Sequence, residues 1–81
     1  MAAAGGPVRA STADGMAGQR IRAARAAAGL TQQSLAATIQ VSRQTIIAME
    51  RGDYAPSVYL ALKVAAALDV TVETLWGEPS P

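Results

Sequence analysis

Two short segments with helical periodicity, at about 32–39 and 43–51, follow each other with only three residues between them. Thr31 and Ser42 precede the two segments, and both residue types are favoured N-caps because their hydroxyls accept a hydrogen bond from the first helical turn. A connection this short forces the second helix to cross the first at a steep angle. The apolar residues that predict the buried faces of this pair are Leu35, Ala36, Ile39, Ile46 and Met49.

Three further helices are predicted, at about 16–28, 58–68 and 72–76. Gly29 follows the first as a left-handed C-cap, and Ser57 and Thr71 cap the other two. No segment alternates apolar and polar residues as a half-buried strand does, so the predicted fold class is all-α with five helices. The stripe expected to face the core from 58–68 consists of Val58, Ala61, Leu62, Ala65 and Leu68.

The rest of the chain divides by composition. Residues 1–15 are mostly small and polar and are predicted to form a disordered N-terminal arm. Residues 16–77 are predicted to form one domain, and residues 78–81 a disordered C-terminal tail.

Several function classes are disfavoured by residues that the chain lacks. It has no cysteine and no histidine, so it has neither disulfides nor the commonest metal ligands and general base. Paired carboxylates in one compact segment and a glycine-rich phosphate loop are also missing, which argues against an enzyme. We therefore expect no metal, cofactor or small-molecule ligand. No apolar run approaches the roughly 20 residues of a membrane span, and a cytoplasmic protein is expected.

Charge is unevenly distributed along the chain. Residues 17–52 carry five arginines against Glu50 and have a net charge of +4, whereas residues 53–81 have a net charge of −3. One half of the molecule is thus suited to face phosphate while the other faces away. Ordinary scatter of surface charge remains the alternative explanation, because the whole chain has a net charge of only +1.

The start of the segment 43–51 carries side chains that suit base edges. Arginine pairs with the O6 and N7 of guanine, glutamine pairs with the N6 and N7 of adenine, and an apolar side chain contacts a thymine methyl group. The residues of these types on the expected outer face are Arg43, Gln44, Ile47 and Ala48. The alternative is a solvated helix face, since polar residues are common at helix starts simply because they cap.

The run from Arg22 to Ser57 closely resembles the phage repressor/Cro-like helix-turn-helix family, also called the XRE family. The matching pieces are Gly29-Leu30-Thr31-Gln32, Leu35-Ala36, Val41-Ser42-Arg43-Gln44-Thr45-Ile46, Glu50-Arg51-Gly52 and Pro56-Ser57, with Leu68 to Trp76 resembling the closing segment. The resemblance implies a five-helix repressor-like DNA-binding domain in which helices 2 and 3 form the helix-turn-helix. The implied function is sequence-specific binding of double-stranded DNA by a transcriptional regulator, a repressor, with the recognition helix 42–51 in the major groove.

The resemblance also implies roles for individual residues. The implied base contacts are Arg43, Gln44, Ile47 and Ala48, of which Ala48 has almost no reach. The implied phosphate contacts are Gln32, Ser42, Thr45, Arg51 and Tyr54. Arg25 and Glu50, which the sequence alone would class as surface charges, are implied to form a partly buried ion pair. Gln40 and Asp69 stand where the family often has glycine, so both are expected to adopt a positive φ.

Leu75 and Trp76 have two open interpretations: they complete the core under the last helix, or they form an exposed contact of a homodimer, as family members commonly bind paired half-sites as dimers. Two rival functions also remain open. The same fold can serve as a protein-interaction module, such as an antitoxin or a coactivator, or as the N-terminal domain of a larger regulator. Arg43 and Gln44 favour DNA over a protein partner, because an acidic or fully apolar face would suit a protein better.

Overall fold

The computed structural model describes the backbone of residues 6–78 and the side chains from Met16 onward. This part of the chain contains five helices and no strand, which confirms the predicted all-α class. The helices are α1 (Gly6–Ala27), α2 (Gln32–Ile39), α3 (Arg43–Arg51), α4 (Val58–Leu68) and α5 (Val72–Trp76).

Each of the last four helices begins at a hydroxyl residue and follows the predicted capping pattern. The N-cap side chains, each accepting a hydrogen bond from the backbone N–H three residues on, belong to Thr31, Ser42, Ser57 and Thr71. Gln40 and Asp69, which end α2 and α4, have φ values of 62° and 58°, so the expected positive φ is confirmed at both positions. These caps set the short links that place α3 across α2.

The first helix begins earlier than the sequence predicts. It starts at Gly6 instead of Met16, so residues 6–15, predicted as part of a disordered arm, have helical backbone. Pro7 is tolerated in a first helical turn, where its missing N–H has no intrahelical acceptor. Extending a helix that is already formed adds one hydrogen bond for each residue fixed, so weakly apolar sequence can continue it. The predicted arm and tail at 1–5 and 79–81 lie outside the described residues.

One core joins all five helices. Its largest fully buried side chains are Ile21, Leu35, Ile46, Met49, Val64 and Leu75. Helix α1 packs against α3 and α5, whereas α2 packs against α3 and α4. The contact between α1 and α3 is very close at Gly18, where an added Cβ would clash with the backbone oxygen of Glu50. This packing presses the back of α3 against the core and leaves its other face open.

The buried face of α4 differs from the predicted stripe. Ala61, Ala65 and Leu68 are buried as expected, but Val58 and Leu62 are exposed and Val64 is buried instead. Apart from Tyr59 and Lys63, every residue of α4 is alanine, leucine or valine. Apolar periodicity therefore cannot choose between its faces, and the choice depends on the neighbouring helices.

Helix α5 closes the core. Leu75 is fully buried and Trp76 is partly buried against the same cluster. Arg20 of α1 donates hydrogen bonds to the backbone oxygens of Leu75 at 3.4 Å and Gly77 at 2.7 Å, so α1 caps the end of α5. For Leu75 the structure supports the core interpretation, and a dimer contact remains a prediction only for Trp76. None of the helices described here is both long and apolar enough to cross a bilayer.

Candidate nucleic-acid interface

The four predicted base-reading residues lie on the first two turns of α3. Arg43 and Gln44 are exposed, whereas Ile47 and Ala48, one turn further on, are half-buried. Ile46 and Met49 on the opposite side are buried in the core. The long polar side chains thus project from the first turn. In helix-turn-helix proteins the N-terminal residues of the recognition helix are the ones that contact base edges in the major groove.

Two predicted phosphate contacts, Ser42 and Thr45, lie at the N-terminus of this same helix. The Ser42 Oγ accepts a hydrogen bond from the backbone N–H of Thr45 at 3.2 Å, and the Ser42 and Thr45 hydroxyls lie 3.1 Å apart. The other N–H groups of a first turn have no partner within their helix, and the helix dipole favours an anion there. The N-terminus of α3 therefore has the donors and the electrostatics to hold a phosphate.

The loop after α3 carries two further predicted phosphate contacts, Arg51 and Tyr54, and both are exposed. The Arg51 Nε lies 3.4 Å from the Asp53 Oδ2, and both side chains are largely in solvent. Such exposed pairs are weak. A phosphate can therefore draw Arg51 away from Asp53 at small cost.

The implied ion pair between α1 and α3 is present. Glu50 is 3% exposed, and its two carboxylate oxygens accept hydrogen bonds from the Arg25 Nε at 2.6 Å and the Arg25 Nη2 at 3.1 Å. The remaining guanidinium nitrogen, Nη1, donates to the Leu30 backbone oxygen at 3.0 Å. This bidentate pairing fixes the end of α3 to α1, and Arg25 also binds the link before α2.

The surroundings of Glu50 keep it ionised. Burial by itself would raise the pKa of this carboxyl, but hydrogen bonds from Arg25 and Gln32, together with the positive charges of Arg25 and Arg22, lower its pKa below the ordinary value. The hydrogen bond to Glu50 correspondingly raises the pKa of Arg25. The carboxylate of Glu50 is therefore part of the charge balance of the fold at neutral pH.

Sequence reasoning missed a link between this buried pair and the exposed face. The Gln32 Nε2 donates to the Glu50 Oε1 at 3.1 Å, and the Gln32 Oε1 accepts from the Arg43 Nη2 at 3.3 Å. A predicted phosphate contact and a predicted base contact are thus joined to each other and to the core. Gln32 is 18 residues from Glu50 and 11 from Arg43. At such separations no local periodicity signals a side-chain contact.

These features define a helix-turn-helix protein: α2 and α3 are capped and joined by a short link, one face of α3 is open, and the Arg25–Glu50 ion pair lies buried behind it. The chain belongs to this family: the family model described as "Helix-turn-helix" matches residues 21–75. The resemblance predicted from the motifs is therefore confirmed.

Several proteins are similar to this chain over most of their length. An uncharacterized HTH-type transcriptional regulator, YgzD of Bacillus subtilis, is 40% identical over 57 residues, which are 70% of this chain and 86% of the relative. Another from Methanocaldococcus jannaschii, MJ0272, is 50% identical over 52 residues, which are 64% and 79% of the two chains.

A solved structure shares the fold as well. The restriction-modification controller protein C.AhdI from Aeromonas hydrophila superposes with a TM-score of 0.73 and 37% sequence identity. The match covers 76% of this chain and 94% of that one.

Proposed function

We propose that this protein is a transcriptional regulator that binds double-stranded DNA sequence-specifically, as a homodimer, with α3 in the major groove. The observation that carries the proposal is the exposed first turn of α3, where Arg43 and Gln44 lie beside the helix N-terminus capped by Ser42. The names of the relatives support the regulatory role. Bound at a promoter, such a protein acts as a repressor by excluding the polymerase, and it needs no cofactor or catalysis. The relatives are bacterial and archaeal, and because such cells hold their DNA in the cytoplasm, the proposal includes a cytoplasmic location.

Base readout is assigned to four residues of α3. Arg43 is the candidate for a bidentate contact with guanine, and Gln44 for one with adenine. Ile47 is suited to a thymine methyl group. Ala48 reaches least and adds shape complementarity at most. Readout therefore depends chiefly on two long side chains.

The contact between Gln32 and Arg43 supports readout by limiting the conformations of the Arg43 side chain before DNA arrives. A long side chain that is held in place loses less conformational entropy on binding. The hydrogen bond is long at 3.3 Å and exposed to solvent, so guanine can replace it at small cost. The fold, through Glu50 and Gln32, thus presents Arg43 in a preferred direction.

Backbone contacts are assigned to residues that surround the reading surface. They are Gln32 at the start of α2, Ser42 and Thr45 at the start of α3, and Arg51 and Tyr54 after it. Such contacts set the register of the protein on DNA and contribute affinity that falls as salt rises.

Selection of binding sites from random duplex DNA tests the proposal. We expect an enriched motif for the wild-type protein. Arg43→Ala and Gln44→Ala should each lose preference at one or two positions per half-site, at about 1–3 kcal/mol for each position. Gln19→Ala, on an exposed part of α1, is the matched control and should select the parent motif.

The opposite result is equally clear. If the wild type enriches no motif, or if all three variants enrich the parent motif unchanged, the assignment of α3 as the recognition helix is wrong.

A further inference from the structure

One exposed arginine of α1 lies at the edge of the candidate interface. The Arg22 Nε is 3.8 Å from the Glu50 Oε1, and 59% of the Arg22 side chain is exposed to solvent. The same carboxylate oxygen accepts the hydrogen bond from the Gln32 Nε2 at 3.1 Å. Because both nitrogens approach one oxygen atom, the guanidinium of Arg22 is a neighbour of the Gln32 amide, which is a proposed contact with the DNA backbone.

Glu50 makes little use of the Arg22 guanidinium. Its carboxylate accepts two hydrogen bonds from Arg25 and one from Gln32. Two of these three occupy both lone pairs of Oε1, the oxygen nearest to Arg22. At 3.8 Å the Arg22 Nε is also beyond hydrogen-bond distance. The guanidinium of Arg22, with its five N–H donors, can therefore turn to another anion without breaking a hydrogen bond to Glu50.

The charge around Gln32 favours such an anion. Three arginines, Arg22, Arg25 and Arg43, lie around its amide against the one carboxylate of Glu50. Helix α2 itself has no charged side chain. A phosphate that approaches Gln32 thus meets exposed guanidiniums on both sides, from α1 and from α3. Arginine pairs with phosphate through two parallel hydrogen bonds, which makes it suited to this contact.

We propose that Arg22 binds a phosphate of the DNA backbone beside the one assigned to Gln32, which extends the interface from the helix-turn-helix pair to α1. This inference rests on the proposed function and adds a binding residue to it. The bidentate pair between Arg25 and Glu50 fixes α1 to α3, so a contact at Arg22 also limits how α3 tilts in the groove. Arg22 contributes affinity and orientation, and it reads no base.

The salt dependence of DNA binding tests this contact. Fluorescence anisotropy gives the affinity of the full chain for a duplex with one selected half-site and for a random duplex. We expect Arg22→Ala to bind both duplexes about 10-fold more weakly, since a charge-assisted hydrogen bond is lost whatever the sequence. The slope of log affinity against log salt should become shallower by about 0.9 for each bound subunit. The ratio of wild-type to variant affinity should then fall about 3.5-fold between 50 and 200 mM salt.

Control variants separate a phosphate contact from a general effect of charge or folding. Arg22→Lys keeps the charge and should keep the wild-type slope. Lys63→Ala removes one positive charge from the exposed surface of α4 and should leave both slope and affinity unchanged. Arg22→Ala should unfold in urea near the wild-type midpoint, because no hydrogen bond to Glu50 is lost. An unchanged slope in Arg22→Ala, an equal change in Lys63→Ala, or a loss of affinity that the loss of folded protein explains overturns the proposal.

Methylphosphonate substitution locates the phosphate. Each substitution replaces one charged phosphate of the selected half-site by a neutral group. At one position it should weaken the wild type and leave Arg22→Ala unaffected. That position should adjoin the one to which Gln32→Ala is insensitive. A scan in which the wild type and Arg22→Ala respond alike at every position overturns the proposal.

Failure of this contact is distinguishable from failure of the proposed function. A wild type that enriches a motif and binds it with a salt slope independent of Arg22 overturns the contact alone. A wild type that binds no duplex contradicts the proposed function and the contact with it.

Discussion

Glu50→Ala is expected to destabilise the fold far more than an ordinary surface substitution. The side chain accepts two hydrogen bonds from Arg25 and one from Gln32, and it lies 3.8 Å from Arg22 as well. Its removal leaves the Arg25 guanidinium in place with a side chain that is only 16% exposed. Breaking a buried pair from one side costs about 3–5 kcal/mol.

The lower end of that range applies here. Arg25 keeps its hydrogen bond to the Leu30 backbone oxygen and part of its contact with water. We therefore expect Glu50→Ala to lower the free energy of unfolding by about 3 kcal/mol. A domain of this length has a total stability of about 4–12 kcal/mol. The loss is then a quarter or more of the whole.

Urea denaturation followed by circular dichroism at pH 7 measures the effect. With a slope of about 1 kcal/mol/M, the midpoint of Glu50→Ala should fall by about 3 M. Glu73→Ala is the control, since Glu73 is exposed in the first turn of α5 and its loss costs about 0.3–1 kcal/mol. Equal midpoint shifts in the two variants would refute the reasoning. Replacing both Arg25 and Glu50 by methionine should restore most of the stability, because neither charge is then left unpaired.

Three further predictions concern stability. The pKa of Glu50 is lowered in the folded state, so its contribution to stability is complete above its ordinary pKa of 4.5 and is lost as the pH falls through the lower folded value. In an acid titration, the free energy of unfolding of Glu50→Gln should therefore fall less steeply with pH than that of the wild type. Gly18→Ala should lower the free energy of unfolding in urea by about 1–3 kcal/mol, because its Cβ would overlap the Glu50 backbone. Gln19→Ala should leave it unchanged. Gln40→Gly should raise the free energy of unfolding by about 1 kcal/mol and with it the thermal midpoint. Asp69→Gly should raise both less, because aspartate tolerates a positive φ better.

The helix-turn-helix pair is the part of the fold that local sequence predicts best. Thr31 and Ser42 act on N–H groups of their own first turns, so their effect depends on residues three positions away. The positive φ at Gln40 follows from the same short connection. Such signals are readable without knowledge of the tertiary structure.

The face that α4 buries was not predictable in this way. Val58 and Leu62 satisfy helical periodicity as well as Val64 does, and a helix that is apolar nearly all round gives no internal reference. Packing against α2 and α5 makes the choice. The face left open carries Val58, Tyr59 and Leu62.

The candidate site was predicted residue by residue but not as a connected unit. The resemblance to relatives implies the pair between Arg25 and Glu50, and the composition of α3 indicates Arg43. The position of Gln32 between Glu50 and Arg43 depends on how α2 and α3 cross. That crossing is a tertiary property, which depends on how the helices pack in the core.

The connection from Glu50 through Gln32 to Arg43 also bears on how genetic data for this protein are interpreted. A screen for mutants that no longer occupy their operator will recover substitutions at Glu50 alongside those at Arg43, although Glu50 is buried and faces away from solvent. The two groups separate only when melting temperature is scored together with occupancy. For Glu50, loss of binding should be accompanied by loss of folded protein. For Arg43 it should not.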